Sequence, residues 1–164
     1  MGHQLICAEN CEPIIRKYSD MLFQLTYAKT RNFEHAEDVV QETFIKLIKA
    51  NKTFESEEHI KAWLIRVAIN GCKSLWSSAW FSRTVEYKEE ASMIIPMEEK
   101  SEVYYAILEL PEKYRVVIHL YYYEDMSVRE IAEILKMKEA SVETRIHRVR
   151  GLLRNKLKGD YDYV

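Results

Sequence analysis

The run from Met126 to Lys158 constrains the chain more than any other stretch. Ser127 stands three residues before Glu130, and Val128, Ile131, Ala132 and Leu135 follow at three-four spacing. A serine and a glutamate so placed form a capping box. The hydroxyl accepts the Glu130 backbone N–H, and the carboxylate accepts that of Ser127. The apolar spacing gives this short helix one buried face. After Lys136-Met137-Lys138, Ser141 is the expected cap of a second helix, with Val142, Ile146, Val149 and Leu153 as its apolar stripe. Two short amphipathic helices joined by a tight turn are a helix-turn-helix candidate.

Charge separates this candidate from an ordinary helical hairpin. Ser141 to Lys158 holds six basic residues (Arg145, Arg148, Arg150, Arg154, Lys156, Lys158) against one acid, Glu143, a net of +5. The whole chain is −2, so the remainder carries −7. Positive charge gathered on one helix of an otherwise acidic chain is a footprint for a phosphate backbone. The competing reading is a solvated basic helix end favoured by the dipole. Arg145 and Arg148 count against it, because they lie in the first two turns, where the dipole disfavours cations.

The rest of the chain reads as all-α. Four glycines and three prolines leave little turn chemistry, and no alternating strand-like run is bounded by turn residues. No apolar run reaches the length of a membrane span, and no basic-then-apolar leader opens the chain. The expectation is a cytoplasmic protein. Cys7, Cys11 and Cys72 are an odd count, which argues against a disulfide framework. His3, Cys7 and Cys11 recur every four residues, but a structural zinc needs a fourth ligand that nothing supplies. No metal and no cofactor are expected. There is no phosphate-cradling glycine loop and no nucleophile beside a base, and the five histidines are scattered. An enzyme with a small-molecule substrate is therefore not expected.

Three helices are expected first, over about 11–29, 33–50 and 57–76. In the second, Ala36, Val39, Val40, Phe44, Leu47 and Ile48 form the inward stripe, and Glu37, Asp38, Gln41, Glu42 and Lys46 the outer face. That face is a solvated acidic surface or a contact for a basic partner, and periodicity does not choose. Phe54 reads as an exposed aromatic in a polar connection, and Trp63 as a core anchor. From Thr84 to Glu102 the periodicity fails, six acids face two lysines, and Pro96 intervenes. This acidic linker divides the chain into an N-terminal helical domain (1–83), the linker (84–102) and a C-terminal domain (103–164). Pro111 ends one helix and opens the next, expected over 112–123, which makes the second domain a four-helix unit.

Four stretches taken in order carry a resemblance: Ala36 to Phe44, Ala62 to Asn70, Leu110 to Arg115, and Ser127 to Arg150. Together the chain resembles the extracytoplasmic-function group of bacterial sigma factors, the minimal members of the sigma-70 family. The resemblance spans about residues 10–158. It implies a specificity subunit that binds core RNA polymerase and directs promoter recognition and initiation. The second helix would dock on the polymerase clamp coiled coil through Glu37, Asp38, Gln41 and Glu42. The loop and third helix would open and read the minus-ten element through Phe54, Lys61, Arg66 and Asn70. The helix-turn-helix would read the minus-thirty-five element through Lys138, Glu143, Thr144, Arg145, His147 and Arg148. The resemblance also implies an anti-sigma partner, often membrane-bound. The chain departs from the family pattern in two places. The usual turn glycine is Lys136, and the usually basic end of the third helix carries Ser74, Ser77 and Ser78 beside Trp76 and Trp80. A stand-alone helix-turn-helix regulator and a helical interaction module are the alternatives. The first needs a two-fold dimer interface, for which no dedicated helix is evident.

Overall fold

Asn32 and Ser56 set the starts of two long helices in the first half of the chain. The Asn32 Oδ1 accepts the His35 N–H at 2.9 Å, and the Ser56 Oγ accepts the His59 N–H at 3.1 Å. Each side chain satisfies an N–H that has no partner within its own helix. In this computed structural model, residues 4–5, 11–50, 52–76 and 102–161 are described, with side chains over 11–50, 52–73 and 102–157. The chain divides into two compact units, Met1–Ile94 and Ile95–Val164. Apart from Glu102, the acidic linker expected over 84–102 lies outside the described residues, as do Ser77, Ser78, Trp80 and the side chains of Ser74 and Trp76.

The first unit packs α1 (Cys11–Thr30), α2 (Phe33–Ala50) and α3 (Glu57–Trp76) against one another. Arg31, at φ 50°, makes the left-handed turn between α1 and α2. Leu22, Val39, Leu47, Ile60 and Leu64 form the centre of the core, with Trp63 packed on its edge. Gly71 lies where α3 meets α2 closely: a Cβ there would stand 3.3 Å from Val39 Cγ1, a tight contact.

Two sequence expectations are corrected in this unit. Ile48 does not face inward: it is 38% exposed, beside Ile45 at 41%. Leu47 already sits at the centre of the buried stripe, and the next residue lies about 100° further round the helix. Phe54 is not exposed but fully buried. It lies in a two-residue strand, β2 (Thr53–Phe54), paired antiparallel with β1 (Gln4–Leu5), Gln4 opposite Phe54. Side chains alternate along a strand, so Thr53 points to solvent while the Phe54 ring meets His59 and Trp63 edge-on at 5.0 and 5.7 Å. The all-α architecture stands with this small ribbon added.

The second unit contains α4 (Glu102–Leu108), α5 (Glu112–Ile118), α6 (Val128–Leu135) and α7 (Glu139–Tyr161). Its core gathers Ile107, Leu110, Tyr114, Ile118 and Val149. The helix expected to reach Tyr123 as an α-helix instead widens into one π turn over His119–Tyr123, closed by Glu124 N–H on the His119 carbonyl at 3.2 Å. The turn keeps His119 and Leu120 buried and leaves Tyr122 exposed. His119 stacks on Tyr123 at 5.2 Å with its Nε2 3.5 Å from Glu124.

The capping box is formed as expected: Glu130 N–H to Ser127 Oγ at 3.1 Å, Ser127 N–H to Glu130 Oε1 at 3.0 Å. α6 ends on Lys136 in the left-handed conformation, φ 56°, ψ 51°, with the Met137 N–H on the Ala132 carbonyl at 2.9 Å. This is the backbone route a glycine usually takes at a helix end. Ser141 is not the cap of α7. The helix begins at Glu139, with the Ser141 and Val142 N–H groups both on the Lys138 carbonyl. The left-handed turn delivers the chain directly into a helical path, and Glu139 in the first turn suits the dipole. α7 continues to Tyr161, three residues beyond the last of the basic residues, Lys158.

Candidate nucleic-acid interface

Burial of Val142, Ile146 and Val149 orients the first turns of α7. With that stripe inward, Glu143, Thr144, His147 and Arg148 form one exposed ridge, and Lys138 is exposed just before it. The Thr144 hydroxyl donates to the Ala140 carbonyl at 2.8 Å, which leaves its oxygen lone pairs and methyl group outward. Arg145 is half-buried on the flank toward α5, its Nη1 3.5 Å from the Lys113 carbonyl. Five of the six residues singled out here are thus surface-facing and adjacent, and Arg145 joins from the side. Arg150 belongs to another face: its Nε donates to the Tyr122 hydroxyl at 3.0 Å, and the guanidinium covers Tyr121 and Tyr122. Hydrogen-bonding and cationic side chains on one exposed helix face are the chemistry that reads a major groove.

On α2, Glu37, Asp38, Gln41 and Glu42 are all exposed and share one face. Ile45 extends it one turn further, and Ile48 continues the apolar end. Sequence periodicity took Ile48 as core and passed over Ile45, so the apolar half of this face was missed. The observed surface is an acidic patch running into two exposed isoleucines. It can offer a partner both charge and apolar contact.

The four residues singled out on the loop and α3 do not form one cluster. Arg66 and Asn70 are exposed one turn apart, and Lys73 extends their row. Lys61 is half-buried and lies about 140° around the helix from Arg66. Phe54 is inside, as packing under the loop. Above it, the exposed Lys52 holds its Nζ 5.8 Å from both the Phe54 and Trp63 rings. Lys52 was not singled out from the sequence, since a lone lysine in a polar loop carries no periodic signal.

Among the described residues, no three His, Cys, Asp or Glu side chains are grouped to hold a metal ion. His3 and Cys7 lie outside them, and the Cys11 and Cys72 thiols are buried in the first core. No described helix is long and apolar enough to cross a membrane.

Comparison with known proteins matches two family models, sigma-70 region 2 over residues 14–82 and sigma-70 region 4 over residues 100–153. The chain is 32% identical to the ECF RNA polymerase sigma factor SigW of Bacillus subtilis, over 88% of this chain and 87% of that protein. It is 28% identical to RNA polymerase sigma factor SigV of the same organism, over 87% of this chain and 88% of that one. Two solved structures share the fold. One is sigma factor RpoE with the anti-sigma factor NepR from Bartonella quintana, at a TM-score of 0.74, 21% identity, and coverage of 92% of this chain and 98% of that one. The other is CnrH with the cytosolic domain of CnrY, at a TM-score of 0.65, 24% identity, and coverage of 93% and 90%.

Proposed function

Because this chain belongs to the extracytoplasmic-function sigma factors of the sigma-70 family, we propose that its two units divide the work of starting transcription between polymerase and promoter. The observation that carries this division is the pair of unlike surfaces. The acidic-apolar face of α2 is on one unit, and the polar and cationic ridge of α7 is on the other.

In this reading, Glu37, Asp38, Gln41 and Glu42 engage the basic surface of the core polymerase clamp coiled coil, with Ile45 as the apolar contact at their edge. Arg66 and Asn70 face the minus-ten element from α3, with Lys61 at the flank. Phe54 supports the loop from beneath. Lys138, Glu143, Thr144, His147 and Arg148 enter the major groove of the minus-thirty-five element with Arg145 beside them. Arginine suits guanine or phosphate, and a glutamate can accept from the cytosine amine. The segment 84–102 acts as the linker between a domain over 1–83 and one over 103–164. RNA synthesis itself falls to core polymerase. The protein works in the cytoplasm, where polymerase and promoter are. An anti-sigma partner is proposed because one solved neighbour, sigma factor RpoE, is described in complex with the anti-sigma factor NepR.

The test is run-off transcription by core polymerase, with and without the protein, across a library of promoter fragments. New discrete start sites that require the protein are the expected result and give both promoter elements together. No binding to core and no new start site would sink the proposal.

A further inference from the structure

Where α5 meets α7, an open groove of about 320 Å3 is lined by Lys113, Tyr114, Ser141, Thr144, Arg145 and Arg148, among others. No carboxylate lines it. The Lys113 Nζ lies 5.1 Å from the centre of the Tyr114 ring, and Arg145 reaches the Lys113 carbonyl at 3.5 Å. The Tyr114 ring belongs to the core of the unit, and Tyr114 and Arg148 both line the groove. Interaction with Arg148, and the charge of Lys113 beside it, holds the Tyr114 phenol below its ordinary value of 10.0. Three cations therefore converge on one small polar concavity without an acid to balance them. Like charges brought together disfavour one another, and an incoming anion relieves the repulsion.

We infer that this groove seats one backbone phosphate of the promoter duplex, held by Lys113 and Tyr114 of α5 together with Arg145 and Arg148 of α7. The inference rests on the reading of α7 as the major-groove helix. Thr144 and Arg148 belong both to the exposed ridge and to the groove wall. A duplex lying on the ridge therefore brings a phosphate to the groove. A contact of this kind carries no sequence information but fixes the register of the helix on the DNA. Lys113 and Tyr114 thus set where α7 sits, from outside the helix-turn-helix.

The experiment uses holoenzyme assembled from core polymerase and the full chain, bound to the promoter identified by run-off. Lys113→Ala is the main variant and Tyr114→Phe the second, each checked for unchanged circular dichroism and unchanged affinity for core. Neutralising one phosphate contact should make the slope of log K against log salt shallower by about 0.9. Between about 50 and about 200 mM salt, the affinity loss of Lys113→Ala should then be roughly 3.5-fold smaller than that of wild type. The same shift is expected on the cognate and on a scrambled minus-thirty-five element. A scan of single methylphosphonates through the element should weaken wild type at one phosphate where Lys113→Ala is indifferent. An unchanged slope with no such position would overturn the inference while leaving the sigma-factor reading intact. Saturation of the groove by inorganic phosphate alongside an unchanged slope would assign it to a free anion and also overturn it. If wild-type holoenzyme starts no transcript, the sigma-factor reading fails, and this inference fails with it.

Discussion

The Tyr18 hydroxyl donates to the Glu57 carboxylate at 2.6 Å, and Lys17 reaches the same oxygen at 3.1 Å. This contact ties the middle of α1 to the first turn of α3 across 39 residues of chain. The Tyr18 bond, followed by that of Lys17, holds the Glu57 carboxyl below its ordinary 4.5. A depressed acid contributes stability that is complete above its unfolded value and fades as pH falls below about 4.5. Tyr18→Phe should therefore cost about 1 kcal/mol at neutral pH. It should also flatten the acid limb of the stability curve. Denaturant melts of both proteins at neutral and acidic pH measure the two effects, and equal acid limbs would refute the coupling.

The capping box of α6 satisfies two backbone donors at the head of the helix-turn-helix. Ser127→Ala removes one of them and should destabilise the C-terminal unit by about 1 kcal/mol. The first unit shares none of these bonds, so affinity for core through α2 should be unchanged. Promoter affinity should fall, since α6 packs against α7. A pull-down with core and a DNA titration on the same preparation separate these outcomes.

Lys136 occupies a left-handed conformation that costs a non-glycine residue about 1 kcal/mol. Lys136→Gly should raise the stability of the second unit by up to that amount. Part of the gain is returned as extra entropy of the unfolded chain. A higher midpoint in thermal unfolding is the expected result. An unchanged or lower one would mean that the lysine side chain offsets its own strain.

The elements that were legible in the sequence are those written in local signals. α2 and α3 run over the residues that three-four spacing gave them, with polar caps at Asn32 and Ser56. The capping box was equally plain, because both of its partners lie within four residues. What escaped was non-local. Phe54 is buried because its strand pairs with Gln4, a partner 50 residues away that no periodicity announces. The groove that brings Tyr114 and Arg148 together likewise joins two helices far apart in sequence. The π turn at His119–Tyr123 leaves no periodic mark, since a run of apolar and aromatic residues fits either helix. For the candidate interface, the α7 ridge was readable from the stripe opposite it, and Ile45 and Lys113 were not.

His35 is completely buried near the start of α2. Burial lowers its pKa from 6.5, against the smaller opposing pull of the Asp38 and Glu34 carboxylates. The unfolded chain therefore takes up the proton more readily than the folded one. The contribution of neutral His35 to stability is complete above about pH 6.5 and is lost as pH falls below it. His35→Gln should remove this slope without touching the Glu57 limb at lower pH. Unfolding midpoints measured across mildly acidic pH in wild type and variant test it. Parallel curves would show that His35 is not the group responsible.

The face of α2 gives the most direct test of how this protein meets polymerase. Asp38 and Gln41 are exposed, contribute to no core, and lie one turn apart. Replacing both with alanine removes charge and hydrogen-bonding capacity without opening a cavity, so the fold should persist with stability within about 0.5 kcal/mol of wild type. Affinity for core should fall at least tenfold, about 1.4 kcal/mol. Run-off transcription should be lost with it, while binding of the second unit to DNA is spared. Ile45→Ala probes the apolar end of the same surface. At 41% exposure it gives up little on folding, so a loss of core affinity without loss of stability would mean that its side chain is covered by the partner. The charged half should respond to salt and the apolar half should not, because screening acts on exposed charges and not on buried hydrocarbon. Core binding by Ile45→Ala that weakens in parallel with wild type as salt rises, from a lower starting affinity, is the expected pattern. Unchanged core binding in both variants would remove α2 from the interface.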